Sequence, residues 1–185
     1  MFGPIAETLQ TPRLRLEPLA VHHAAEMAEV LDDPRLHAFI GGEPLSPADL
    51  RARYERLVAG PEPFHQEVWL NWIVRRRRDR RAVGTVQATV APGPSGPVAS
   101  VAWVVGMPYQ GFGFATEAGR ALLAWLAAQG VTAFTADIHP GNLASAAVAR
   151  RLGLRPTADL RHDEVVWRKD GQGGQDGRVA GLRGG

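Results

Sequence analysis

The sequence predicts an α/β fold built on a mixed β-sheet, and three observations lead to it. The length of 185 residues suits one domain and leaves little room for two. Segments in the middle of the chain are rich in β-branched and aromatic residues, as strands are. In the second half, strands alternate with segments of helical periodicity, which is typical of a crossover between parallel strands.

The first third of the chain predicts one strand and two helices. Apolar side chains alternate over residues 11–19, which favours a short strand. Residues 20–31 carry apolar side chains on one helical face and are stopped by Asp32-Asp33-Pro34. A second helix, over residues 46–59, begins with a serine N-cap followed by proline and ends at Gly60.

Three strands are predicted next, over residues 68–75, 82–90 and 98–105. The first two flank the arginine-rich segment 75–81 and form a hairpin with it. The third strand shows little polar alternation, so we expect both of its faces to be buried. The arginine run has no interleaved aromatic residues, so we interpret it as a solvated turn rather than a nucleic-acid site.

The rest of the chain predicts helices over residues 114–129 and 142–152, each ended by a glycine. The expected strands of this half are 131–138, 155–161 and 164–168. We place a single domain at residues 10–169. The Gly-rich segment 170–185 is expected to be a disordered tail.

The composition excludes several classes of protein. The absence of cysteine excludes disulfides, thiolate metal sites, iron–sulfur clusters and a cysteine nucleophile. The net charge of +2 is too balanced to indicate a nucleic-acid partner. We find no targeting sequence and no apolar stretch of the ~18 residues that a membrane span needs. The sequence therefore predicts a cytoplasmic protein without membrane contact.

The strongest local feature is the junction between the strand 98–105 and the helix 114–129. Two glycines, Gly111 and Gly113, separate these elements and let backbone N–H groups approach a ligand closely. The helix N-terminus adds about half a positive charge at the same place. The junction therefore predicts an anion site suited to a phosphate or pyrophosphate.

Three types of nucleotide-binding loop compete at this junction. A Walker loop needs a lysine after its last glycine, and the only lysine of the chain is Lys169. The dinucleotide fingerprint G-x-G-x-x-G would place glycine or alanine where Thr116 stands. The third pattern, Q/R-x-x-G-x-G/A, is matched in full by Gln110-Gly111-Phe112-Gly113-Phe114-Ala115.

With this loop, the sequence resembles the GNAT superfamily of acyl-CoA-dependent N-acyltransferases. The segment Asn142-Leu143-Ala144-Ser145 is similar to the Asn-x-x-Ser segment of that superfamily, although both polar residues are also ordinary helix-start residues. The turn Arg151-Leu152-Gly153 resembles the family's basic–Leu–Gly turn. The opening Thr11-Pro12-Arg13-Leu14 is similar to the branch that includes ribosomal-protein N-terminal acetyltransferases. The resemblance spans residues 10–168.

The resemblance implies a fold and an activity. The fold is a twisted mixed sheet with helices on both faces, splayed between the strands that end near Val105 and Ile138. Acyl-CoA, expected to be acetyl-CoA, would bind in the splay as co-substrate, and a primary amine would attack its thioester directly in a ternary complex. The absence of cysteine fits direct attack, because it removes the obvious acyl-enzyme route. The family needs no metal, and its members suggest a homodimer.

The resemblance also implies the site residues. The CoA-binding residues would be Trp103, Val104, Val105, Gln110, Gly111, Phe112, Gly113, Phe114, Ala115, Thr116 and Asn142. Backbone N–H groups of residues 110–116 would hold the pyrophosphate, and residues 103–105 would pair with the pantetheine arm. Ser145 would lie near the sulfur and protonate the departing thiolate.

One position departs from the related branch. The strand before the loop often begins with glutamate there, and Ser100 occupies that position in this chain. An ammonium acceptor must lose a proton before it attacks, so another base is needed. Glu164 is the first candidate, and His139, Asp137 and Glu67 are alternatives. Water, with no dedicated base, is a further alternative.

Two other functions stay open at this point. One is a non-catalytic acyl-CoA-binding or regulatory domain of the same fold, which the serine at position 100 allows. The other is an unrelated nucleotide-binding protein, which ATP or NAD would stabilise and acetyl-CoA would not. The acceptor amine, either a small molecule or a protein N-terminus, is not encoded by any motif in the sequence.

Overall fold

The computed structural model describes residues 3–171, which fold around one eight-stranded sheet. The strands are β1 (Leu9–Gln10), β2 (Leu14–Pro18), β3 (Val68–Arg76), β4 (Ala82–Ala91), β5 (Val98–Val105), β6 (Ala133–Ile138), β7 (Arg155–Arg161) and β8 (Glu164–Asp170). The helices are α1 (Ala24–Val30), α2 (Pro34–Ile40), α3 (Pro47–Ala59), α4 (Phe114–Ala128) and α5 (Leu143–Leu152). Within the described residues, no helix is both long and apolar enough to cross a membrane.

The sheet is mixed, as the sequence predicts. Its strand order is β1-β2-β3-β4-β5-β6-β8-β7. Neighbouring strands pair antiparallel except β5 and β6, which are parallel and are connected through α4. A parallel pair needs a crossover connection, so α4 is the crossover helix. The predicted mixed α/β fold is confirmed.

The sheet opens between β5 and β6. These strands pair only at their first residues, where Val98, Ala99 and Ser100 meet residues 133–135. Beyond that point β6 pairs with β8 alone, so the two parallel strands diverge. The predicted splay is therefore present. The expectation that both faces of β5 are buried is wrong, because Ala102 is exposed beside this opening.

Helices cover both faces of the sheet. Trp72 and Ile73 are consecutive on β3 and therefore point to opposite faces, and both are fully buried. Trp72 belongs to a large apolar cluster that includes Leu126 of α4. Ile73 belongs to a smaller cluster that includes Met27 of α1 and Tyr54 of α3. The two clusters therefore pack helices against both faces of the sheet.

Helix α2 is absent from the sequence prediction. The segment Asp32-Asp33-Pro34 was expected only to stop a helix, but it also starts one. Asp33 caps α2 by accepting a hydrogen bond from the Arg35 backbone N–H, and Pro34 takes the first helical position. A proline can end one helix and begin the next, so the same signal serves both.

Two further boundaries differ from the prediction. Strand β8 runs to Asp170, which pairs with Ala133, so it enters the segment expected to be a tail by one residue. Residues 172–185 of that segment lie outside the described residues. The arginine run is only partly a solvated turn, because Arg75 and Arg76 lie in β3 and their side chains are 17% and 14% exposed.

Candidate active site

The glycine loop connects β5 to α4 in a conformation that needs glycine. Gly111 and Gly113 have φ angles of +80° and +79°, where any other residue is strained. The side-chain amide of Gln110 donates a hydrogen bond to the Val105 carbonyl at 3.0 Å and ties the loop to the end of β5. The motif residues therefore set the direction in which the loop leaves the strand.

The N-terminus of α4 is open to a ligand. Gly113 is its N-cap and provides no side chain to cap the first turn. The first N–H groups of a helix lack intrahelical partners, and here they lie beside an exposed loop. Arg120 and Arg151, which are both exposed, line a groove with Gly111 and Gly113. The loop thus combines open N–H groups with positive charge, as an anion site requires.

A cleft of about 470 Å³ runs from this loop along β5 into the opening of the sheet. Its lining includes ten of the predicted CoA-binding residues, namely Trp103, Val104, Val105, Gln110, Gly111, Gly113, Phe114, Ala115, Thr116 and Asn142. Phe112 does not line it. The Phe112 ring is 59% exposed and borders the neighbouring groove, so only the backbone of this residue remains a candidate for CoA binding.

A second cavity, of about 560 Å³, meets the first where the sheet opens. The residues that line both are Phe39, Ile40, Trp103, Val104, Asn142 and Ser145. The second cavity also contains Ser100, Asp137, His139 and Glu164. The structure therefore places Ser145 at the junction of the two cavities and Glu164 on the wall of the second.

Asn142 acts as a helix cap and still leaves a group free for a ligand. Its Oδ1 accepts a hydrogen bond from the Ser145 backbone N–H at 3.1 Å, which caps α5. The oxygen and nitrogen of a planar amide point in different directions, so the side-chain nitrogen of Asn142 can still donate a hydrogen bond to a ligand. Capping and ligand binding are therefore compatible at this residue.

The four candidate bases are not equivalent. Glu67 accepts a hydrogen bond from the Trp69 indole at 2.8 Å and does not line the second cavity. His139 Nδ1 accepts from the Gly141 N–H at 3.0 Å. The neutral ring then carries its proton on Nε2, which cannot accept a second one. Of the four, Glu164 and Asp137 are the carboxylates that line the cavity.

Only one carboxylate oxygen of Asp137 has a hydrogen-bond partner among residues 3–171. Its Oδ2 accepts a hydrogen bond from Arg161 at 2.9 Å. Its Oδ1 is buried and has no hydrogen-bond partner among residues 3–171. A buried oxygen without a partner is costly, so Asp137 Oδ1 is free to accept a hydrogen bond from a donor that enters the cavity.

Three cavity residues were missed by sequence reasoning. Phe39 and Ile40 lie on α2, and their only sequence signal was the Asp33-Pro34 helix start. Tyr54 of α3 lines the second cavity, and its buried hydroxyl has no partner among the described residues. Burial raises the pKa of Tyr54 to about 12, so its phenol stays neutral and can donate a hydrogen bond.

The family of the chain follows from a comparison with family models. A model described as an acetyltransferase (GNAT) domain matches residues 13–155, well over half of the chain. The chain belongs to the GNAT acetyltransferase family. This GNAT protein is therefore an N-acetyltransferase, as the resemblance of its sequence implies. No curated protein matches its sequence.

Solved structures of other GNAT acetyltransferases share this fold. RimL, a ribosomal L7/L12 α-N-protein acetyltransferase in complex with CoA, has a TM-score of 0.74 at 17% identity, covering 89% of this chain and 98% of its own. An acetyltransferase from Agrobacterium tumefaciens str. C58 has a TM-score of 0.67 at 26% identity, covering 89% and 94%. The aminoglycoside acetyltransferase AAC(6')-Ib, in complex with CoA, has a TM-score of 0.70 at 20% identity, covering 85% and 94%.

Proposed function

We propose that this GNAT domain transfers the acetyl group of acetyl-CoA to a primary amine by direct attack in a ternary complex. One observation carries the proposal: the cleft that starts at the uncapped glycine loop meets a second cavity at Ser145. A cofactor in the first and an amine in the second would meet at the opening of the sheet. Their reacting atoms would then be held close together, which lowers the entropic barrier.

The first cleft is proposed to hold CoA. Backbone N–H groups of residues 110–116 face the diphosphate, and residues 103–105 pair with the pantetheine arm along the free edge of β5. A β5 N–H polarises the thioester carbonyl. Arg120 and Arg151 add positive charge at the phosphorylated end. No metal enters the reaction.

Two side chains are proposed to move protons. Glu164 takes a proton from the ammonium, directly or through water, so that the amine nitrogen can attack the thioester carbonyl carbon. The carbon–sulfur bond then breaks, and the Ser145 hydroxyl protonates the departing CoA thiolate. Ser145 regains a proton from water or from the acetylated nitrogen. Asp137 is the alternative base on the same wall.

The second cavity is proposed to take the amine acceptor. Its lining carries the carboxylates Glu43, Asp137 and Glu164, with Arg53 as its arginine. This balance favours a positively charged acceptor over an anionic one. Related GNAT structures are named for a protein N-terminus and for aminoglycosides, and both acceptor classes belong to the proposal. We also propose that the protein is cytoplasmic and forms a homodimer.

The function is tested by ligand stabilisation followed by a transfer assay. Acetyl-CoA at 100 times its Kd should stabilise the fold by about 2.7 kcal/mol, seen as a higher Tm. Transfer is then measured as CoA release against a panel of polyamines, aminoglycosides and peptides with free N-termini. CoA binding without transfer to any acceptor would favour the non-catalytic alternative. No Tm increase would refute the proposal.

The loop assignment is tested by Gly113→Glu. A glutamate here adds a negative charge beside the proposed diphosphate site and a side chain that starts 3.5 Å from the Arg13 guanidinium, so it should repel the ligand, disturb the loop and abolish CoA binding. Gly130→Glu is a matched control, since Gly130 also has a positive φ of +89° but lies beyond the other end of α4. Equal CoA affinities for the two variants would contradict the assignment.

A further inference from the structure

The opening motif Thr11-Pro12-Arg13 packs against the first turn of α4, beside the glycine loop. Arg13 Nε donates a hydrogen bond to Glu117 Oε2 at 2.6 Å, and the Arg13 backbone N–H donates to Oε1 at 2.9 Å. Thr11 Oγ1 donates to the same Oε1 at 2.6 Å. Glu117 thus accepts three hydrogen bonds from a segment that precedes it by more than 100 residues.

Arg13 reaches past Glu117 to the loop itself. Its Nη1 donates to the Phe112 carbonyl at 2.9 Å, and its guanidinium carbon lies 4.8 Å from the centroid of the Phe114 ring. Burial alone would raise the pKa of Glu117, but the hydrogen bonds from Thr11 and Arg13 outweigh it and lower that pKa. The ionised carboxylate therefore anchors Arg13 at neutral pH.

The bond from Arg13 determines the orientation of one peptide group in the loop. In a planar trans peptide, the C=O and the N–H point in opposite directions. Because Arg13 holds the Phe112 carbonyl, the Gly113 N–H points away from Arg13. Arg13 borders the groove that Arg120 and Arg151 line, but it does not border the CoA cleft. Gly113 borders both the groove and the cleft. The Gly113 N–H is thereby directed to the side of the loop where the cleft lies.

The loop does not hold this orientation by itself. A peptide flip changes ψ of Phe112 and φ of Gly113, and glycine adopts positive and negative φ with similar ease. Gly113 has a φ of +79°, so the flipped peptide would be accessible at little cost. The Arg13 bond is the contact that penalises the flip, since the carbonyl would lose its charged donor.

We propose that Arg13, anchored by Glu117, is a positioning residue that holds the Gly113 N–H toward the CoA diphosphate. The inference rests on the proposed function, because it concerns the same cofactor site. The inference gives the motif Thr11-Pro12-Arg13 a role in cofactor binding. Arg13 is not needed by the acetyl and pantetheine end of the cofactor, which lies along β5.

The test compares two acyl donors in the full chain carrying Arg13→Gln. Acetyl-CoA contains the diphosphate, whereas acetyl-pantetheine lacks it. We expect the variant to raise the Kd of CoA and the KM of acetyl-CoA about tenfold, as loss of an oriented donor to a charged group does. Its kcat/KM for acetyl-pantetheine should stay within twofold of wild type. Arg15→Gln removes an equal charge two residues further along the chain, where Arg15 pairs with Glu17 and not with the loop, and is the matched control.

Two further variants keep the test decisive. Arg13→Lys keeps the charge but cannot bridge Glu117 and the Phe112 carbonyl, so it should show the same defect even where Arg13→Gln unfolds. Glu117→Gln should raise the CoA Kd by a smaller factor, since Arg13 loses its anchor but not its loop contact. A CoA Kd for both Arg13 variants within twofold of Arg15→Gln would overturn the inference, as would equal losses with the two donors. A wild-type chain that binds no CoA would refute the proposed function as well.

Discussion

At the scale of single residues, position rather than residue type separates the candidate catalytic groups. Ser100 and Ser145 both line the second cavity, but only Ser145 also borders the CoA cleft. Glu67 and Glu164 are both half-buried, but only Glu164 lines the cavity. The catalytic roles proposed for Ser145 and Glu164 therefore depend on their locations in the opened sheet.

Ser145→Ala should lower kcat by about tenfold to a hundredfold, because the departing thiolate loses its proton donor. The KM for acetyl-CoA should change less than threefold, since the hydroxyl is expected to act mainly in the transition state. Steady-state kinetics measures both parameters. Ser100→Ala, at the other serine that lines this cavity, is the control and should keep wild-type kcat. A wild-type kcat for Ser145→Ala would exclude the proposed role.

Glu164→Gln should lower kcat/KM for the amine about a hundredfold at pH 7, because the amide cannot accept the ammonium proton. The rate of the variant should rise with pH as the free amine becomes more abundant. A pH–rate profile against wild type measures this. Asp159→Asn, an exposed carboxylate on β7, is the control. A variant with the wild-type profile would point to water or Asp137 as the base.

At the scale of elements, the edge of β5 depends on a glycine in the neighbouring strand. Gly84 of β4 pairs with Val105, and a Cβ at Gly84 would collide with the Val104 backbone carbonyl. A backbone atom cannot move aside as a flexible side chain does. The proposed pantetheine-binding edge is therefore shaped by the absence of a side chain one strand away.

Gly84→Ala should destabilise the fold by about 1–3 kcal/mol, the range for overpacking a tight site. It should also raise the KM for acetyl-CoA, because the displaced residues 103–105 are proposed to bind its arm. Urea unfolding and steady-state kinetics measure the two effects. Gly119→Ala is the control: its Cβ would meet only the end of the flexible Leu152 side chain, and alanine favours the helix. Equal stability of both variants would contradict the argument.

At the scale of the whole molecule, one ionic network joins β2, α1 and β3. Arg75 donates to Glu17 at 2.8 Å and to Glu26 at 2.9 Å, and buried His23 lies 3.5 Å from Glu17. Burial alone would raise the pKa of Glu17 and Glu26, but the bonds and charge of Arg75 lower both. Burial, with the charges of His22 and Arg75, lowers the pKa of His23.

The signs of these shifts predict a loss of stability in acid. His23 is more easily protonated in the unfolded chain, so stability should begin to fall below pH 6.5. The two carboxylates contribute stability above pH 4.5 and lose it as the pH falls through their lowered pKa values. The Tm measured between pH 8 and pH 3 should therefore drop most steeply below pH 4.5. A Tm that stays constant to pH 3 would contradict this.

Removing the centre of the network tests its contribution. Arg75→Gln should destabilise the fold by about 2 kcal/mol at pH 7, because two partly buried carboxylates lose their charged donor. It should also flatten the Tm profile below pH 4.5. Arg78→Gln, in the exposed turn of the same arginine run, should change the Tm by less than a degree or two. Equal effects of the two substitutions would show that the network adds nothing.

Much of the fold could be predicted because its signals are local. Periodicity and a terminal glycine predicted α4 and α5, and Gly111 and Gly113 predicted the loop between β5 and α4. Helix α2 was missed because Asp33-Pro34 is read equally well as the end of α1. The wall that Phe39 and Ile40 add to both cavities was missed with it.

The sequence by itself determined the mixed α/β fold class, most of the helices and strands, and the resemblance to the GNAT family. These depend on residues that are neighbours in the chain, so their spacing carries the information. Only the tertiary structure decided that Ser145 and Glu164 line the same cavity and that Arg13 contacts both Glu117 and the Phe112 carbonyl of the loop. Such contacts join residues that are far apart in the chain, so no local pattern encodes them. They form because β5 and β6 diverge and because β2 packs against α4.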